Sequence, residues 1–160
     1  MTPLLEPKAG RSARPRLDEV DHRLVELLAT DARRSVNHVA ELVGVSRANA
    51  YQRIARMRAE GVITGFTVVT DPHRLGLEVA ALIVVNSDQR SWRELRAELR
   101  ELPGAEYVAL TAGGFDFVVL VRVADVETLR DVVLERLQAM DGVRSTQTMF
   151  ILDEGGRLSW

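Results

Sequence analysis

Apolar residues between Leu17 and Gly61 recur at helical spacing in three short blocks. The first, LDEVDHRLVELLATDARRS, puts Val20, Leu24, Leu27 and Leu28 on one face. Asp18 to Asp21 place acid where a helix N-terminus favours it. In the second block Val36, Val39, Ala40 and Val43 repeat at i, i+3, i+4 and i+7, and Gly44 is placed to end the helix in a left-handed position. Ser46 can cap a third helix, expected from about Arg47 to Glu60, whose Ala50, Ile54 and Met57 form an apolar stripe. On this reading Ser46, Asn49, Arg53 and Arg56 share the opposite side, and the first helix packs its stripe against Val39, Val43 and Ile54.

After Gly61 the period changes. VITGFTVVTD looks extended and Pro72 bars a helical continuation, so a strand leading out of the helical head is expected, followed by a turn at 71–76. From Glu78 the elements alternate: strand VAALIVVN, helix SWRELRAELREL ended by Pro103-Gly104, strand AEYVALTA, a Gly113-Gly114 turn, and strand FDFVVLVRV. Helix VETLRDVVLERLQAM, closed by Gly142, and strand VRSTQTMFIL complete the order β-α-β-β-α-β. The predicted fold class is α+β, with an N-terminal helix-turn-helix (winged-helix-like) domain followed by a ferredoxin-like βαββαβ domain. The expected organisation is a basic arm over 1–16, a head over 17–65, a linker strand and turn over 66–77, a second domain over 78–152 and a tail over 153–160.

Strands VAALIVVN and FVVLVRV are apolar at nearly every position, as strands are when both faces are covered. With both helices on one side, a second copy is the expected cover for the other. Such a homodimer would set two recognition helices on one side for a pseudo-palindromic site.

Composition narrows the class. Of 160 residues 46% are apolar, enough for packed cores, and no apolar run is long enough to span a membrane. MTPLLEPKAGRSARPR has no apolar core of a secretory signal and reads as a mobile basic arm. Zero Cys rules out thiolate metal sites and disulfides and suits a reducing cytoplasm. His22, His38 and His73 lie far apart without ligand spacing, and no nucleophile-base pattern is present, so neither a metal site nor a catalytic centre is expected. The net charge of −2 divides into +3 over 1–16, zero over 17–65 and −5 over 66–160. Any attraction for nucleic acid must therefore come from a local basic face.

The third helix offers such a face, with four arginines. Arg47, Arg53 and Arg56 can read guanine edges or hold phosphates, Asn49 can read adenine, and Ser35 and Ser46 can bind phosphates. Tyr51 can reach a phosphate or a thymine methyl, with Gln52 beside it. The competing reading is a solvated surface helix.

The opening LDEVDHRLVELLATDARRSVNHVAELVGVS, the segment RIARMRAEGVITGFTV and a βαββαβ domain carrying GGFDFVVLVRV resemble the Lrp/AsnC, or feast/famine, family over nearly all of 17–152. The resemblance implies a transcription factor for double-stranded DNA. It further implies an amino-acid effector rather than a fixed cofactor, and dimers that often assemble into octamers or other rings. Its effector pocket would involve the turn Thr111, Ala112, Gly113, Gly114, Phe115, Asp116 and, on the last strand, Thr146 and Thr148. The family turn usually reads G-D-[YF]-D, so Gly114 replaces an Asp here. A glycine turn exposes N–H groups to a ligand carboxylate and Asp116 can accept from an ammonium, while the plainer reading is a tight turn whose Asp caps backbone. Two alternatives accompany this reading. One is an architectural DNA binder that no amino acid affects. The other is a sirohaem-decarboxylase-like enzyme, which would need His and Arg gathered round a tetrapyrrole.

Overall fold

Three short helices build the N-terminal unit, each started by a side chain that satisfies free N–H groups. The computed structural model describes residues 15–88 and 92–154, so all but the last two residues of the arm expected over 1–16, the helix start at Ser91 and most of the tail expected over 153–160 lie outside the described residues. The chain divides into two units, Met1–Val69 and Thr70–Trp160, at a point inside the expected linker.

In the first unit α1 spans Glu19–Thr30, α2 Val36–Val43 and α3 Arg47–Ala59. A reciprocal capping box opens α1: Asp21 N–H donates to Asp18 Oδ1 at 2.9 Å, and Asp18 N–H donates to Asp21 Oδ2 at 3.1 Å. Ser35 and Ser46 accept from the N–H groups of His38 and Asn49, each at 3.2 Å. Gly44 ends α2 at φ 79°, a left-handed turn that re-aims the chain into α3. Leu24, Leu28, Val39, Ala40, Ala50 and Met57 form the buried core, with Val20, Leu27, Val43 and Ile54 packed around it.

The second unit is a four-stranded antiparallel sheet ordered β2-β3-β1-β4, with β1 Val79–Ser87, β2 Ala105–Leu110, β3 Phe117–Val123 and β4 Val143–Phe150. Helix α4 spans Trp92–Arg100 and α5 spans Val126–Asp131. Ala81, Ile83, Val85, Val119, Val121 and Val123 point toward the helices and meet Leu95, Leu99, Leu129, Val132 and Leu137. Strand residues one position on face away from that core. Gly104 joins α4 to β2 where a Cβ would lie 2.3 Å from the Arg122 carbonyl oxygen, at φ +75°. Only glycine permits that approach.

Two expectations are corrected. The strand expected in VITGFTVVTD does not form, and no wing strand exists among the described residues of the first unit. Phe66, Val68 and Val69 are exposed, and no described strand lies alongside to take up this segment's backbone groups. The single long helix expected from Val126 continues past Asp131 as a π-helical turn over Val132–Leu137. This widening lets Val132 and Leu137 both reach the core. Strand β4 is mostly exposed on both faces, as its edge position allows.

Candidate functional site

A helix turns about 100° per residue, so the positions opposite Ala50, Ile54 and Met57 are Ala48, Gln52, Ala55 and Ala59. All four are exposed, as are Arg47, Tyr51 and Arg58 beside them. The Arg47 guanidinium lies over the Tyr51 ring, 5.6 Å from its centroid, which gathers a cation and an aromatic at the N-terminal end of the face. Ser46 belongs to this end but its Oγ caps the helix, and Ser35 caps α2 in the same way.

Asn49, Arg53 and Arg56 lie elsewhere. The expectation that they share the side opposite the apolar stripe is corrected, because they flank the stripe on the side facing α1. Asp21, 1% exposed, uses both carboxylate oxygens on them: Arg53 Nη1 donates to Oδ1 at 2.9 Å and Arg56 Nη2 donates to Oδ2 at 2.6 Å. Arg53 also donates to both oxygens of Asp18, at 2.9 and 2.7 Å, and through Nε to Asn49 Oδ1 at 2.8 Å. Arg56 further reaches Glu60 at 3.3 Å. Burial pushes the Asp21 carboxyl up, but hydrogen bonds from Arg56, the Asp18 backbone and Arg53 outweigh it and hold the group down at about 2. Asp18 is held low by the Asp21 backbone N–H and then by Arg53. Sequence reasoning missed this network. Two acids in the first turn of α1 and two arginines three apart on α3 were visible, but not that they meet across 32 to 35 residues.

The candidate effector residues other than Thr148, which sits mid-strand opposite Ile83, gather at one end of the sheet, where β1 finishes, β3 starts and β4 starts. Thr111 closes the β2–β3 turn, donating through Oγ1 to the Phe115 carbonyl at 2.5 Å and through N–H to the Asp116 carbonyl at 2.8 Å. Ala112, Gly113, Gly114 and Phe115 are exposed. Asp116 Oδ2 accepts from the N–H of buried Ser87 at 2.7 Å and from its hydroxyl at 3.1 Å, so the carboxylate clasps the end of β1. Thr146 and Thr148 pair with Val85 and Ile83 and share the helix-side face. An open cavity of about 420 Å³ is lined by Gln138, Val143, Arg144, Ser145 and Thr146. It includes Thr146 but neither Thr148 nor the 111–116 turn. Gln138, Val143 and Arg144 were not singled out from sequence, because only the end of the π-helical turn brings Gln138 beside the β4 start. Arg144 also pairs with Asp88. Among the described residues no group of three His, Cys, Asp or Glu is placed to hold a metal ion. Nor is any described helix long and apolar enough to cross a membrane.

A capped helix-turn-helix joined to a βαββαβ unit defines a DNA-binding transcriptional regulator with a C-terminal ligand-binding domain. Residues 17–58 match the AsnC-type helix-turn-helix domain and residues 80–155 the Lrp/AsnC ligand binding domain. The chain belongs to the Lrp/AsnC family. It is 34% identical to the transcriptional regulator AldR of Mycolicibacterium smegmatis over 96% of this chain and 92% of that one. AldR of Mycobacterium tuberculosis is 35% identical over 91% and 83% of the two chains. The crystal structure of MtbAldR superposes with TM-score 0.75 at 33% identity, covering 90% of this chain and 99% of that one. Escherichia coli AsnC gives TM-score 0.82 at 24% identity, covering 91% and 99%, and so supports the fold alone. The same holds for the Neisseria meningitidis regulator NMB0573 in complex with L-Met, at TM-score 0.81 and 21% identity over 89% and 94%.

Proposed function

We propose that this chain is a sequence-specific regulator that binds double-stranded DNA through α3 and responds to an amino acid or related small metabolite bound by its C-terminal unit. The observation that carries the reading is the exposed face of Arg47, Tyr51, Gln52 and Arg58 on a capped recognition helix, within a chain whose second unit matches a ligand-binding domain. Ser35 and Ser46, at the N-termini of α2 and α3, are suited to phosphates. The effector site is assigned to the sheet end that holds Thr111–Asp116 and Thr146, where exposed turn N–H groups suit a carboxylate. The L-Met complex of the Neisseria regulator supports an amino acid as the ligand class. The reading places the protein in the cytoplasm, needs no fixed cofactor and involves no catalysis.

The functional unit is a homodimer formed sheet against sheet, which can assemble further into an octamer or other ring. Support comes from the sheet face turned away from α4 and α5, where Ala80, Leu82 and Val118 are only half-buried and Met149 is exposed. One observation favours a ligand-independent architectural regulator as the second reading. Asp116, the expected ammonium acceptor, is committed to Ser87, and Gly114 supplies no second carboxylate.

Fluorescence anisotropy with the protein's own upstream DNA and a scrambled duplex tests both. Across a salt series, with and without a panel of amino acids, the upstream duplex is expected to bind more tightly and to weaken as salt rises. One amino acid should shift the affinity by at least about fivefold. Sequence preference without any amino-acid effect selects the architectural reading. Equal binding to both duplexes refutes the sequence-specific one.

A further inference from the structure

We propose that Asp21 is a positioning residue for the DNA-reading helix, and that Arg53 and Arg56 are held by it as struts, so that base edges are read by Arg47, Tyr51 and Gln52. The inference rests on the DNA-binding reading above and assigns roles within that face.

Both Asp21 oxygens are spent on α3. Oδ1 takes Arg53 Nη1 at 2.9 Å and Oδ2 takes Arg56 Nη2 at 2.6 Å, from a carboxylate with 1% exposure. Arg53 is further fixed by Asp18 and by Asn49 on its own helix, which leaves its guanidinium facing α1 with side-chain exposure of 23%. To read a guanine, a guanidinium must offer two parallel N–H groups to the O6 and N7 edge. Arg53 and Arg56 would have to leave a charged, largely buried partner to do so, stranding Asp21 without a cation. Arg47, Tyr51 and Gln52 carry no such cost. They stand on the solvent side of α3, and Arg47 is ordered by the Tyr51 ring rather than by an acid.

The geometry also gives the network a purpose. Arg53 and Arg56 are three residues apart, so two charged contacts to one fixed carboxylate set both the rotation of α3 about its axis and its height against α1. A small rotation of a recognition helix shifts every reading side chain at once, so rigidity here governs discrimination at all base positions together.

The test selects bound sequences from a pool of duplexes with a randomised centre, using the full chain and its variants. Far-UV circular dichroism fixes a temperature at which each is folded. Gln52→Ala is expected to lose preference at one base position per half-site and keep the rest. Arg53→Lys and Arg56→Lys keep a cation for Asp21 but lose the rigid planar fork that matches a guanine edge, and are expected to retain the wild-type preferences within about threefold. Asp21→Asn is expected to weaken all specified positions in parallel, lowering selection of the preferred site over a scrambled one about tenfold, with no new preference. The slope of log affinity against log salt should stay unchanged in Arg53→Lys and Arg53→Ala, and should fall by about 0.9 per arginine in Arg58→Ala. Loss of preference at a single position in Arg53→Lys or Arg56→Lys overturns the proposal, because that arginine then reads a base. A lowered salt slope in Arg53→Ala overturns it too, because the arginine then holds a phosphate. A wild-type chain that selects no sequence instead sinks the sequence-specific reading itself, and this assignment with it.

Discussion

Asp21→Asn measures directly how much the buried charge contributes to the N-terminal unit. Asparagine keeps the shape and one acceptor, but it presents an amide N–H to a guanidinium and lacks the charge that Arg53 and Arg56 share. The carboxyl drops from 3.8 to about 2 in the folded chain. That difference corresponds to about 2–3 kcal/mol favouring the ionised form in the native state. Arg53 and Arg56 keep side-chain exposures of 23% and 36%, and water and salt reach that side of the pair. Screening reduces the expected cost of the substitution to about 2 kcal/mol. The two units need not unfold together, so the measurement must be local. Hydrogen exchange read by mass spectrometry on peptides covering α1 and α3 is expected to speed about thirtyfold in Asp21→Asn at neutral pH, with β1 and β3 unchanged. The sign with pH follows from the depressed value. The stabilisation is complete above the unfolded value near 3.8 and is lost as pH falls through about 2. Wild type and variant should therefore converge in the local stability of α1 and α3 across that interval. Acceleration below about threefold, or a difference that persists unchanged at pH 2, would refute the claim that this ion-pair network stabilises the head.

Glycine substitutions separate space from backbone angle. Gly44→Ala meets only the left-handed penalty, since nothing lies within 4 Å of the added carbon, and should cost about 1 kcal/mol in thermal denaturation. Gly104→Ala also drives a Cβ to 2.3 Å from the Arg122 carbonyl, so a loss of at least about 3 kcal/mol in the second unit is expected. Equal melting shifts for the two would contradict this account. Asp116→Ala leaves the buried Ser87 N–H without its acceptor and should destabilise the sheet end by about 1–3 kcal/mol, seen as faster exchange in β1. A variant that changes amino-acid response with exchange unaltered would instead make Asp116 a ligand contact. Leu82→Lys sets a charge in the middle of the sheet face turned away from the helices, between core-facing Ala81 and Ile83 on the same strand. On the proposed sheet-to-sheet dimer, sedimentation velocity should show a dimer for the wild type and a monomer for Leu82→Lys, and an unchanged sedimentation coefficient would refute this contact.

The sequence alone determined the order of elements and the inward side of most of them, because apolar periodicity records burial residue by residue. Leu24, Leu28, Val39, Ala50 and Met57 in the head are buried as their spacing predicted, and Leu95, Leu99, Leu129 and Leu137 in the second unit are buried at helical spacing. Caps were legible for the same reason, since Ser46 and Gly44 act within three or four residues of themselves. Strand formation after Gly61 was not decided locally: β-rich residues form a strand only when a partner accepts their backbone groups, and no described strand does. Nor did composition reveal that two of the four arginines on α3 are committed. A positive charge looks the same in sequence whether it faces solvent or an acid 32 to 35 residues away. The role of Asp116 was likewise set by contact with Ser87, 29 residues upstream. Local pattern follows from short-range sterics and burial, while a polar side chain's task depends on which distant group the packed chain brings within hydrogen-bond reach, and only the tertiary structure decides that.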